Sequence, residues 1–168
     1  MQQEITYAEA LNFIKEATLA MNQTEEPESV LNQILSACME VTAADSGSIM
    51  ILDAERKNLK IRVSRGLSHE AESLSLEVGQ GVTGWVAKFG GWGVNPGSCT
   101  PRIVGDSSEA EDYIAVREGL FSELAVPMLV RDSVIGVISV DSQQKGAFKE
   151  HHQDFLSIMA NLAARIFV

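Results

Sequence analysis

Tyr7, Leu11, Ile14, Thr18 and Met21 recur at alternating steps of four and three, directly after a Thr6-x-x-Glu9 capping box. This spacing predicts an amphipathic helix over residues 6–22. The stripe is narrow and mostly flanked by polar residues, so it suits a seam against a partner helix as well as packing on its own domain. Pro27 breaks the segment and fits the first turn of a second helix. There Val30, Leu31, Ile34, Leu35, Cys38 and Val41 form a wider apolar face, as expected for a helix lying on a sheet, with Cys38 a core residue.

The period then changes from helical to two. Residues 46–52 and 59–65 read as strands joined by the polar turn of residues 53–58, a hairpin and hence antiparallel sheet. In the second strand Leu59, Ile61 and Val63 alternate with Lys60, Arg62 and Ser64, which predicts one buried face and a place towards the sheet edge. Residues 66–72 form a polar connection with helical potential. Residues 122–130 and 134–141 are the clearest strands, tightly joined by residues 131–133. Both of their faces are largely apolar, so they are central and covered on both sides. By parity Glu123 shares a face with Ala125 and Pro127, and Asp141 shares one with Ser139, so each carboxylate can point into a partly enclosed space. Such a carboxylate either reads a ligand or bonds nearby backbone amides. Residues 107–119 read as a short helix ended by Gly119, and Phe155, Met159, Leu162 and Ile166 mark a last helix from about Lys149 onward. That helix stays apolar to the final residue, which points to a continuation towards another domain. His151 and His152 are expected on its solvated face.

Between the two hairpins lies Gly79-x-Gly81-x-x-Gly84, which matches the dinucleotide fingerprint, with Asp106 at a spacing suited to an acidic ribose partner. The context argues against a dinucleotide. A nucleotide turn follows a fully buried parallel strand, whereas residues 73–78 alternate strictly and are therefore half exposed. The glycines instead supply positive φ and close approach at a strand-to-helix turn, followed by a short helix over residues 82–89. Residues 90–101 are rich in Gly and Pro and form an irregular loop, in which Trp92 either caps a pocket or seals a core edge.

Composition narrows the function. With 13 basic and 23 acidic residues the net charge is −10, which disfavours nucleic acid as a direct partner. No apolar run is long enough to span a bilayer and the N-terminus lacks signal-peptide character, so no membrane partner and a cytoplasmic location are expected. The two cysteines, Cys38 and Cys99, sit in no CxxC or Cys/His cluster, and neither a metal site nor a disulfide framework is expected.

The order of elements resembles a GAF domain over about Pro27 to Val168. The carriers are Gly79-Gln-Gly-Val-Thr-Gly-Trp-Val-Ala87 with Gly90, Ile103-Val-Gly-Asp106, Tyr113-Ile-Ala-Val-Arg-Glu-Gly119, Ser122-Glu-Leu-Ala-Val-Pro127, Gly136-Val-Ile-Ser-Val-Asp141 and Phe148. Their joint order is more specific than any one of them. The resemblance implies an α+β fold: a central antiparallel sheet of about five or six strands, N- and C-terminal helices on one face, and pocket-covering loops and short helices on the other. It divides the chain into a signalling and dimerisation helix over residues 1–26 and a sensor domain over 27–168. It also implies an unidentified small-molecule ligand, a homodimer formed through the terminal helices, and an output domain in a longer protein. The candidate ligand-binding residues are Thr83, Trp85, Trp92, Asp106, Tyr113, Ile114, Glu123 and Asp141.

Family activities can be compared position by position. Free methionine sulfoxide reductases of this family carry cysteines where this chain has Thr83 and Val116, while Glu123 and Asp141 match positions that hold substrate polar groups. Polarity without the nucleophile offers binding only. Bilin-binding relatives use a Cys-His pair, but Cys99 precedes Thr100. The Asn-Lys pattern of cyclic-nucleotide binders is not evident, because Asn95 precedes Pro96. The expected function is a non-enzymatic, ligand-binding sensory module, with no metal, bilin or dinucleotide cofactor. A redox enzyme using Cys99 and a ligand-free dimerisation domain are the alternatives.

Overall fold

The Thr6 hydroxyl accepts from the Glu9 amide at 3.3 Å, and the Thr6 amide donates to the Glu9 carboxylate at 2.8 Å, so the capping box closes as its spacing predicts. Helix α1 then spans Tyr7–Asn22 in the computed structural model, which describes residues 4–23, 26–90, 100–114 and 119–168. Its packed face differs from the predicted stripe. Ala17 and Ala20 are its buried residues, and Phe13 and Ile14 pack at the core margin, whereas Tyr7 and Leu11 are 92% and 66% exposed. Small side chains let α1 lie close to its neighbours while the first bulky stripe residues stay outside. Helix α2, Pro27–Thr42, begins with Pro27 in its first turn and buries Val30, Leu31, Ile34, Leu35 and Cys38, as predicted. Burial pushes the Cys38 thiol pKa far up, so it is inert core.

Strands β1 (Ser46–Leu52) and β2 (Asn58–Arg65) form the expected hairpin. A bulge interrupts it: Ile49 pairs with Val63, but Met50 pairs with Ile61, leaving Arg62 as the extra residue. Val63 therefore packs among the core residues on one face of the sheet, while Leu59 and Ile61 belong to the cluster on the other. The predicted single face of Leu59, Ile61 and Val63 is thus split. A short helix α3, His69–Glu72, leads to β3, Ser75–Glu77, which pairs outside β2 and takes the edge position. The glycine turn follows, and α4 spans Gly81–Phe89.

After it comes β4, Arg102–Val104, a strand that its three residues were too few to announce. The helix expected over residues 107–119 is reduced among the described residues to one 3-10 turn, Ser107–Glu109, capped by the Asp106 carboxylate. Asp and Ser favour such local capping bonds over helix propagation. Strands β5 (Ser122–Val130) and β6 (Ser133–Ser142) are central and buried on both faces. The sheet is antiparallel throughout, in the order β3-β2-β1-β6-β5-β4.

Helix α5, Glu150–Ala164, packs on β5 and against α2, burying Phe155, Leu156, Met159, Ala160, Ala163 and Ala164. The main core thus lies between the sheet and α1, α2 and α5. A smaller one, with Met50, Leu59, Val82, Val86 and Val137, lies between the sheet and α4. His151 is exposed as expected, but His152 is partly buried. Its Nδ1 accepts from the Lys149 amide at 3.1 Å, and burial pulls its pKa down to about 4. Among the described residues no helix is long and apolar enough to cross a membrane.

Candidate functional site

The glycine stretch builds one wall of the site. Gly79 and Gly81 have φ of +96° and +64°, and a Cβ on Gly84 would lie 2.6 Å from the Glu77 carbonyl oxygen. These demands are met only by glycine, and they lay α4 close across the sheet. Thr83, buried in the first turn of α4, points its hydroxyl at the sheet and donates to Glu123 Oε1 at 2.8 Å.

The sheet supplies the floor. Ser46, Asp141 and Glu123 are direct cross-strand neighbours on β1, β6 and β5. Ser48, Ser139 and Ala125 form the next row, and Met50, Val137 and Pro127 the row after that. Residues opposite one another in an antiparallel sheet project from the same face, here the face covered by α4. The floor therefore passes from apolar to polar towards the end that carries the two acids. Glu123 and Asp141 are each 5% exposed and Ser46 is fully buried.

Glu123 is held by two hydroxyls, since the Ser139 hydroxyl also donates to Oε1 at 2.8 Å. Both donors fall on one oxygen, so Oε2 has no donor among the described residues. Burial pushes the Glu123 pKa up, and the bonds from Thr83 and Ser139 and the charge of Arg102 oppose that rise. Tyr113 lies near enough to both acids for their charges to reinforce the burial that raises its phenol pKa. Two buried polar atoms have no hydrogen-bond partner among the described residues, the Tyr113 hydroxyl and Ser46 Oγ. Both belong to this site. Ser46 stands directly opposite Asp141, and Tyr113 is within electrostatic reach of Asp141 and Glu123. Uncompensated burial of a hydroxyl costs on the order of 1–3 kcal/mol, so two at one place need an explanation.

The other predicted residues fall around this centre. Trp85 turns towards the side: its ring carries the Arg102 guanidinium 5.3 Å from the centroid and Phe89 at 5.2 Å. Arg102 is itself committed to Asp112, its Nη2 donating to Oδ1 at 2.8 Å and its Nη1 to Oδ2. Ile114 lies over Gly81, where a Cβ would meet its Cδ1 at 3.2 Å, and is 42% exposed. Asp106 accepts from the Ser108 amide and hydroxyl and pairs with Lys145 at 2.7 Å. The Lys145 bond is the largest cause pulling its pKa down to about 2. It ties two loops together, and its bonds are all to Ser108 and Lys145 rather than to the central acids. Trp92 lies outside the described residues, as do Cys99 and Val116.

The sequence had pointed to Thr83, Tyr113, Glu123 and Asp141, and the structure brings them together. Ser46, Ser139 and Arg102 were passed over. The visible signal was Ser46-Gly-Ser48, polar residues at alternate positions in an otherwise apolar strand, yet only the β1–β6 register shows that Ser46 faces Asp141. Among the described residues no cluster of three or more His, Cys, Asp or Glu side chains could hold a metal ion. Chemically, the site can orient and desolvate a small polar molecule, with hydroxyls and carboxylates as its working groups.

Concave regions also flank α1 on the opposite face of the sheet. One of them, about 550 Å³, runs between α1, the end of α2 and the start of α5 and includes Tyr7, Leu11, Phe155 and Ile158. Neither of the buried, unpartnered hydroxyls lines it.

Residues 24–168 match the family model described as GAF domain. The chain belongs to the GAF domain family. A GAF domain from an Acinetobacter phosphoenolpyruvate-protein phosphotransferase superposes with a TM-score of 0.80 at 21% identity, covering 96% of this chain and 93% of that one. One from the corresponding Coxiella burnetii protein gives 0.80 at 19%, covering 95% and 93%. Free methionine-R-sulfoxide reductase from Neisseria meningitidis, in complex with its substrate, gives 0.79 at 19%, covering 98% and 93%. At such identities the likeness is one of fold. No curated protein matches this GAF chain in sequence.

Proposed function

We propose that this GAF domain is a small-molecule-binding sensory module, which relays ligand state to a partner domain through α1 and α5 in a homodimer. The observation that carries this reading is the pair of buried, unpartnered hydroxyls beside Glu123 and Asp141. Polar groups left unsatisfied in a folded interior cost stability, and a bound ligand supplies the missing partners. The same strands offer a path outward. Glu123 and Asp141 face α4, while their neighbours Leu124 and Val140 pack into the core shared with α2 and α5. A ligand that shifts β5 and β6 thereby biases the packing of the terminal helices, provided that it binds the two arrangements unequally.

Native mass spectrometry of freshly purified protein, followed by a thermal-shift screen of metabolites, tests this. A dimer mass is expected, together with a retained adduct or a compound that stabilises without being consumed. At 100 times its dissociation constant such a compound adds about 2.7 kcal/mol, or roughly 5–10 °C for a chain of this size. A monomer with no adduct and no stabiliser would sink the proposal. The fold shared with a substrate-bound sulfoxide reductase supports a second reading, a redox enzyme. With Thr83 at the turn and Cys38 buried, Cys99 would have to serve as its nucleophile. Sulfoxide turnover by the parent chain that is lost in Cys99→Ser is expected on that reading, and a parent chain without turnover would remove it.

A further inference from the structure

A second connection joins the α4 side of the sheet to α5, separate from the route through β5 and β6. The segment that starts at β4 turns at Ser107–Glu109 and reaches Tyr113, and its Val104, Ala110 and Tyr113 pack in the smaller cluster with α4. Its turn lies against the loop that follows β6. The Gly146 amide donates to the Gly105 carbonyl oxygen at 2.7 Å. Beside that bond the Lys145 ammonium stands 2.7 Å from Asp106 Oδ2 and 5.6 Å from the centre of the Phe121 ring. The Lys149 ammonium donates to the Gly146 carbonyl oxygen at 2.8 Å, and the Lys149 carbonyl oxygen accepts from the His152 and Gln153 amides at the start of α5. A continuous chain of bonds therefore runs from Asp106 to the first turn of that helix.

The weakest link in this chain is the place where the two loops meet. A Cβ on Gly146 would meet nothing within 4 Å, and one on Gly105 only Gly146 Cα at 3.9 Å, so the loops touch backbone to backbone with open space at both glycines. The Lys145 side chain is 59% exposed. An exposed ion pair beside a sparsely packed hydrogen bond opens at a small fraction of the free energy of global unfolding. The residues on either side are anchored: Val104 and Leu120 are buried before and after the turn, and Phe148 is buried just ahead of α5. We propose that the Asp106–Lys145 and Gly105–Gly146 contacts form a releasable latch, closed in this structure, through which movement of the segment from β4 to Tyr113 loosens the first turn of α5. Its use as a signal rests on the sensory reading, whereas the mechanical coupling holds with the pocket filled or empty.

Amide hydrogen exchange of the ¹⁵N-labelled chain, with no ligand added, tests the coupling. Gly146 reports the latch, and His152 and Gln153 report the helix. Asp106→Asn keeps an oxygen to accept from the Ser108 amide and hydroxyl but removes the charge that pairs with Lys145, and Lys145→Met removes the other partner. Each should speed exchange at Gly146 about 1.5- to 5-fold after correction for intrinsic rates, the opening expected when an exposed ion pair is lost. The double variant should exchange no faster than the faster single one, because both break the same bond. His152 and Gln153 should speed up in step, while Ile138 in the middle of the sheet stays as in the parent. Sodium chloride at about 0.5 M should speed Gly146 in the parent relative to Asp106→Asn. Asp112→Asn, which weakens the hold on Arg102 elsewhere in the segment, should also speed Gly146. Unchanged exchange at Gly146 in both single variants would overturn the latch. Faster exchange at Gly146 with His152 and Gln153 unmoved would overturn its coupling to α5, and a Gly146 that ignores Asp112→Asn would overturn its coupling to the segment. None of these outcomes touches the sensory reading, which stands or falls on a retained or stabilising ligand.

Discussion

Glu123 has exchanged water for two hydroxyl donors on a single oxygen, and the exchange leaves its charged form disfavoured. A carboxyl whose pKa is raised by folding is stabilising when protonated. Its contribution is fully present below the unfolded pKa and is lost as pH rises through the higher folded value, because over that interval the native state binds more protons than the unfolded state. Glu123→Gln keeps an oxygen to accept from Thr83 and Ser139 but removes the charge. The variant is therefore expected to melt higher than the parent at pH 8, by about 2–4 °C for each kcal/mol gained, with the difference vanishing near pH 4. Thermal denaturation across that range decides it, and a lower melting temperature at pH 8 would show that the ionised carboxylate is stabilising after all. Gain of stability with loss of binding is the pattern expected of a residue kept for a ligand. Parity along two strands was enough to nominate Glu123 and Asp141, since alternation fixes which residues share a face. Ser46 and Arg102 needed the register between strands, which no single-strand periodicity contains.

At the level of elements, the wall of the site depends on how closely α4 approaches the strand before it. The Gly79 amide donates to the Gly84 carbonyl at 2.8 Å, and a Cβ on Gly84 would stand 2.6 Å from the Glu77 oxygen and 3.2 Å from the Gly79 nitrogen. Backbone atoms cannot swing aside as a side chain can. Gly84→Ala should then cost about 1–3 kcal/mol, the usual range for overpacking, and lower the melting temperature by roughly 2–10 °C. Gly105→Ala is the control: its Cβ would meet only Gly146 Cα, at 3.9 Å, and its effect should stay within about 0.5 kcal/mol. Equal melting of the two variants would mean that the turn relaxes freely. The role of this turn was legible because glycine spacing and the alternation around it agreed on a strand-to-helix junction. Two neighbouring features were hidden for physical reasons. A bulge at Arg62 adds one residue without changing the alternating pattern that announces a strand, and β4 is too short to show a period.

For the whole molecule, the open question is what covers α1. Its buried positions are the small Ala17 and Ala20, and it leaves Tyr7 and Leu11 exposed at 92% and 66% beside Ile158 at 46%. These residues line one groove with the start of α5, so α1 and α5 present a shared apolar surface rather than scattered residues. The predicted stripe of α1 was legible as a seam, but periodicity identifies an apolar face and not the surface that meets it. A second copy of the chain, meeting this surface about a two-fold axis, would cover it and join the four terminal helices into one unit. That arrangement also gives a ligand at Glu123 something to move, since α5 lies on the strand that carries Glu123. Sedimentation equilibrium is expected to give twice the 18.2 kDa chain mass. Leu11→Glu should yield a monomer, because a carboxylate buried in an apolar contact costs several kcal/mol, yet it should leave the monomer fold intact where Leu11 faces solvent. A parent chain that sediments as a monomer, or a Leu11→Glu chain that remains a dimer, would move the interface elsewhere and cut the proposed route from pocket to partner domain.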